Sequence, residues 1–220
     1  ENKMLTKPIE NAQVSVESRN FQARKSTLEY DDVMNKQREI IYGQRKQVLD
    51  GLDIKDTIAG MISSNITATV NTAFGEHKHI DNEGYKAMMA SLEGTFFPKY
   101  AVKLSPEEVA KADAEGLMQL FIDKAMETYT AKEKEVTSPI MRELERVIML
   151  RVVDEYWMDH IDAMQDLRQG IRLRAYAQTD PIIAYKQESL HMFEEMIAAI
   201  QEETVRRLYS VRLKGNEEVK

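Results

Sequence analysis

The chain has 220 residues, no cysteine, 30 basic against 37 acidic side chains and a net charge of −7. That length supports one domain or two small ones around a real core. The missing thiols exclude disulfides, thiolate zinc sites and cysteine nucleophiles; the acidic balance excludes a general grip on nucleic-acid phosphates; and no apolar run approaches the ~20 residues of a membrane span.

The first element predicted is a single long helix over 9–50. Ile9, Ala12, Val16, Ala23, Leu28, Val33, Ile41 and Val48 fall in a three-four rhythm, and Gly43 is its only glycine. Some forty helical residues span about 60 Å, against about 30–40 Å for a compact domain of this length. Such a helix must run along something larger, so Ile9, Val16, Val33 and Ile41 are expected to face domains outside this sequence. Exposed apolar patches and self-association of the isolated piece follow.

The texture then changes. A helix over 52–74 carries Ile54, Ile58, Met61, Ile62, Ile66 and Val70 on one face, and a short one follows over 85–92. Residues 95–106 read as an irregular connection. Ser105-Pro106-Glu107-Glu108 is a helix start, with a capping serine, proline at the first position and acids in the first turn. A helix over 115–135 carries Leu117, Leu120, Phe121, Ala125 and Tyr129. The run Lys132-Glu133-Lys134-Glu135 reads as a solvated face.

Ser138-Pro139 opens a third region whose apolar face is Met141, Leu144, Ile148, Val152, Tyr156, Ile161, Met164 and Leu167, with Gly170 as a stop signal. Asp180-Pro181 starts the last helix, carrying Leu190, Phe193, Ile197, Ile200, Thr204 and Leu208 to about Tyr209. Two helices of roughly thirty residues joined by a short turn make an antiparallel hairpin. The fold class is all-α: a very long scaffold helix (1–50), a small inserted helical bundle (51–137), a long antiparallel hairpin (138–210) and a frayed tail (211–220).

The turn 170–181 has Arg168 just before it, Arg172 and Arg174 inside it, and Ile171, Leu173 and Tyr176 among them. A merely solvated connection holds fewer apolar groups, and Arg and Tyr are enriched where partners make energetic contacts. Composition alone leaves partner contact and packing back against the hairpin equally open.

Other constellations are weaker. His77 and His79 stand two apart in a glycine-flanked loop, where solvation is the default. Glu188-Ser-Leu-His191 is one copy of the Glu-x-x-His motif, whereas a di-iron bundle needs two copies and two further glutamates. Asp159, His160 and Asp162 diverge around a helix and read as ion pairing and packing. Glu29-Tyr-Asp-Asp32 pairs by default with Arg24, Lys25 and Lys36. No Gly-x-x-x-x-Gly-Lys-Ser/Thr loop occurs to cradle a nucleotide.

The motifs VESRNFQARK (16–25), LEYDDV (28–33), Gln37-Arg38 and IYGQR (41–45) resemble the long scaffold helix of the SecA family, the ATP-driven motors of bacterial protein export. WMDHIDAM (157–164), LRQGI (167–171), LRAYAQ (173–178), Asp180-Pro181 and Tyr185-Lys186 resemble that family's two-helix finger. The resemblance is strong at both ends and weak over 52–134, where the helical wing would lie. It implies a fragment of a longer motor, non-catalytic by itself, with ATP and magnesium bound only by parent motor domains outside the sequence and the family's zinc tail absent. It further implies a hairpin tip, built of Arg172, Leu173, Arg174, Tyr176 and Gln178, that engages a SecY-type channel and the unfolded preprotein. The site would be cytoplasmic, peripheral at the cytoplasmic face of the cell membrane. Some members carry Gly where Ala175 stands and a basic residue where Thr179 stands. The competing expectation is a free-standing helical protein-interaction module.

Overall fold

Few glycines and prolines, together with apolar side chains every three or four residues, make helix the default throughout. The computed structural model describes residues 3–75, 77, 79–171 and 180–212. Seven helices, α1 Lys3–Leu49, α2 Lys55–Phe74, α3 Asn82–Leu92, α4 Pro106–Lys111, α5 Ala114–Val136, α6 Ser138–Gly170 and α7 Pro181–Ser210, make up the described chain. The fold is all-α; among the described residues the only β pairing is an isolated bridge between Glu93 and Phe97.

Helix boundaries follow local chemistry. α1 begins before Pro8 and runs through it; the ring removes one amide donor close to the helix start. Leu52 is exposed and outside α2, contrary to the expected start. Gly51 at φ +85° breaks the chain, and the Lys55 amide donates to Asp53 Oδ1, which delays the new helix. Asp81 and Asp113 cap α3 and α5 by accepting from Gly84 and Gly116 amides at 2.7 and 2.9 Å. Ser105 and Glu108 form a full capping box on α4. Thr137, at φ +75°, joins α5 to α6, and Ser138 is the first helical residue.

Two compact units divide the chain. The first combines the described part of residues 1–44 with Trp157–Met196. Its seam takes Tyr30, Met34, Gln37 and Ile41 from α1, spaced four, three and four apart, against Trp157, His160 and Met164 of α6 and Tyr185, Ser189 and Phe193 of α7. Ile41 is 1% exposed and half-buried Val33 packs against the Tyr30 cluster, so both are used within this unit, contrary to expectation; Ile9 and Val16 are exposed, as are Val14, Phe21 and Leu28. Leu190, expected inward, is exposed, because α7 turns Tyr185, Ser189 and Phe193, four apart, into the seam.

The second unit combines Arg45–Tyr156 with the described part of residues 197–220. α2 buries Ile58, Ile62, Ile66, Val70 and Phe74, and α5 buries Leu117, Phe121, Ala125 and Tyr129, each set spaced by four. Leu120 lies off that face and is exposed. Phe97 stacks on Phe121 at 6.1 Å, and Phe96 meets the Tyr209 ring edge-on at 5.6 Å. The Lys132–Glu135 run is solvated only at Lys134 and Glu135. Glu133 is buried and accepts from Lys55 Nζ at 2.9 Å. Lys132 Nζ donates to the carbonyls of Leu208 and, at 2.6 Å, Val211, closing the C-terminal end of α7.

Candidate functional site at the base of the hairpin turn

Arg172, Leu173, Arg174, Tyr176 and Gln178, the residues expected at the tip, lie outside the described residues. α6 ends at Gly170, and Ile171 turns inward to 1% exposure, so for this one residue of the turn packing is the outcome. It joins Tyr30, Met164 and Tyr185 in one apolar cluster, flanked by Val33, Leu167 and Ile182. On the far side of the turn, Asp180 Oδ1 accepts from the Ile182 amide at 2.9 Å, and Pro181 opens α7.

Polar groups ring this cluster. Arg168 Nη1 donates to Asp31 Oδ1 at 2.8 Å, and its guanidinium lies 5.5 Å above the Tyr30 ring. Tyr30 in turn meets the Tyr185 ring edge-on, centroids 4.7 Å apart. Burial pushes the Tyr185 phenol above its ordinary range, and Arg168 only partly opposes it. Thus α1 grips both hairpin helices directly beneath the turn.

Two to three helical turns further from the tip, three buried polar residues form a chain. His160 Nε2 lies 2.9 Å from Gln37 Oε1, and Gln37 Nε2 donates to the Ser189 carbonyl at 3.1 Å. The imidazole sits between Trp157 and Phe193, ring centroids 5.7 and 5.8 Å away. Burial holds His160 below its usual range, hence neutral at pH 7. Trp157 is itself buried, meets the Tyr42 ring edge-on at 6.4 Å, and its Nε1 has no hydrogen-bond partner among the described residues. The sequence alone leaves His160 undecided between packing and ion pairing, and does not single out Gln37. The available signal is one amide within an otherwise apolar four-three-four seam.

In the second unit a charged cluster ties the start of α2, the end of α5 and the start of α6. Tyr129 Oη donates to Glu145 Oε1 at 2.5 Å, Arg142 Nη2 donates to the same oxygen at 2.8 Å, and Arg142 also reaches Glu133 at 3.2 Å. Glu145 is fully buried, which raises its carboxyl above the usual range, against the pull of Tyr129 and Arg142. Burial first, then Glu145, raises the Tyr129 phenol far above normal.

The remaining candidates disperse. His77 and His79 are exposed. His191 pairs with Glu195 on the solvent side at 3.3 Å, away from Glu188, so the Glu-x-x-His pair does not converge inward. Asp32 pairs with Lys36 at 2.7 Å as expected, whereas Arg24 bonds to the Asn20 carbonyl. Among the described residues no group of three or more His, Asp or Glu is arranged to hold a metal, and no helix is long and apolar enough to cross a membrane.

Comparison with known proteins places these elements. Residues 1–212 match the family model described as the SecA wing and scaffold domain. A protein translocase subunit SecA from Heliobacterium modesticaldum is 47% identical over 213 residues, covering 97% of this chain and 25% of the relative. One from Acetivibrio thermocellus is 47% identical over 216 residues, covering 98% and 24%. A protein translocase subunit SecA 1 from Clostridioides difficile is 47% identical over 213 residues, covering 97% and 23%. The chain spans about a quarter of the length of the relatives it matches.

Proposed function

The chain belongs to the SecA family, and from that premise we propose that it is the non-catalytic scaffold, wing and two-helix-finger segment of an ATP-driven protein-export motor. Residues 1–50 are the scaffold helix, 51–137 the wing, 138–210 the finger with its return helix, and 211–220 a tail. ATP and magnesium belong to motor domains elsewhere in the parent; this segment binds neither. The turn, through Tyr176, Arg172, Leu173, Arg174 and Gln178, contacts a SecY-type channel and the unfolded preprotein. The parent works at the cytoplasmic membrane surface.

The observation that supports this reading is the clamp under the turn. Arg168, Asp31, Tyr30 and Tyr185 bind both hairpin helices to α1 where a load on the turn would enter the body. Packed helices pass displacement on with little loss because interiors are dense and poorly compressible. A tyrosine at the tip offers apolar area and one hydroxyl at low entropy cost, and so grips many sequences without reading one. In the full-length parent, Tyr176→Ala is expected to lower preprotein transport several-fold while basal ATP hydrolysis stays near normal. Unchanged transport would refute the tip assignment.

A further inference from the structure

Gln37, His160 and Ser189 are buried polar residues of the first unit, each at least nine-tenths buried; the Gln37 and His160 side chains and the Ser189 backbone carbonyl form one relay that touches all three helices of that unit. The His160 imidazole is flanked by the buried Trp157 and Phe193 rings. Lys36 and Arg38 beside Gln37, Asp159 beside His160 and Glu194 near Phe193 are exposed, and half-buried Glu188 has a partner of its own.

An apolar seam alone fixes alignment poorly, because a helix shifted by one turn presents another apolar stripe to the same groove. On α1 that stripe exists. A slip of one turn brings Val33 or Ile41 to the place of Gln37. Either leaves the His160 Nε2–H buried without an acceptor, and either sends the Gln37 amide to a position lined for hydrocarbon. Only one alignment pairs both the Gln37 amide and His160 Nε2.

We infer that Gln37, bridging His160 Nε2 and the Ser189 carbonyl, is the register pin that admits a single longitudinal alignment of α1 against the α6–α7 hairpin. Gln37 and His160 are positioning residues: they decide where along α1 the hairpin sits. Since Gln37 Nε2 donates to a carbonyl, Gln37 Oε1 is the acceptor, so His160 must carry its proton on Nε2. The packed seam holds this alignment whether or not the turn contacts a preprotein.

The absence of native cysteine allows spin labels at exposed Lys25 and Glu194, on α1 and α7 of the same unit and well separated along the helix axes, so that an axial slide changes their distance almost in full. In the otherwise unchanged 220-residue chain, pulsed electron–electron resonance should give one narrow distance. Gln37→Met with His160→Leu makes the seam wholly apolar; it should keep the helical circular-dichroism signal and add a second population displaced by about 5 Å, one helical turn. A single unshifted distance in that folded double variant overturns the pin. Where the double variant does not fold, nitrogen-15 spectra of the chain without substitutions decide: a neutral His160 protonated on Nε2 supports the pin, and a ring protonated on Nδ1 or charged at pH 7 overturns it.

Discussion

Arg168 and Asp31 meet at 2.8 Å across the base of the hairpin, with the guanidinium also over the Tyr30 ring. Both side chains remain more than a third exposed, so solvent and salt screen the charge part of the pair. Arg168→Ala should therefore cost only about 0.5–1 kcal/mol in urea unfolding, more at low salt than at high. Arg168→Lys should recover the salt-dependent part and not the ring contact, because a compact ammonium does not stack.

Acid should weaken the chain through His160. Its folded pKa lies below its unfolded value, so the unfolded state binds more protons as pH falls. The contribution is fully present above pH ~6.5 and shrinks on acidification towards the lower folded pKa. One group limits the slope to about 1.4 kcal/mol per pH unit. Chemical unfolding between pH 5 and 8 should show this slope, and His160→Gln should flatten it.

Glu145 carries the opposite sign. Its folded pKa is raised, so the protonated form is the one the fold favours, and its contribution is greatest below the unfolded carboxylate value and lost as pH rises through the folded one. Glu145→Gln should then be mild, about 1 kcal/mol or less. Glu145→Ala should cost roughly 3 kcal/mol, since it leaves Tyr129 and part of Arg142 buried without their acceptor. Thermal unfolding of the two variants separates these outcomes.

Lys132→Met should loosen the end of α7. The ammonium holds the Leu208 and Val211 carbonyls, and methionine keeps the packing while removing the donors. Amide hydrogen exchange over residues 207–211 should accelerate several-fold, with little change in α2 or α5.

Val14, Phe21 and Leu28 repeat every seven residues on an exposed stretch of α1. The isolated chain is expected to self-associate through it. Sedimentation should show a concentration-dependent average mass, and Phe21→Glu should restore a monomer. A monomer at all concentrations in the unsubstituted chain would dismiss that route.

Much of the fold is readable from local chemistry. The Ser105 cap with Pro106 behind it, Pro181 at a helix start and the four-residue spacing of Ile58, Ile62 and Ile66 act within a few residues, and all three are found. What escapes depends on which helix faces which. Ser189, not Leu190, lies inward because the groove opposite selects the Tyr185 stripe, and Lys132 finds carbonyls 76 and 79 residues away along the chain. Gln37 and His160 follow the same rule: each is an ordinary polar residue until the seam encloses it.

Trp157 is the only tryptophan in the chain, and it is enclosed at the junction of Tyr42 and the His160 imidazole. The molecule thus contains its own optical gauge. Tyr42 can pass excitation energy to it, and an imidazolium at His160 would quench its emission. A shift of α1 along the hairpin would therefore register as a change in colour and brightness, in real time and without a label.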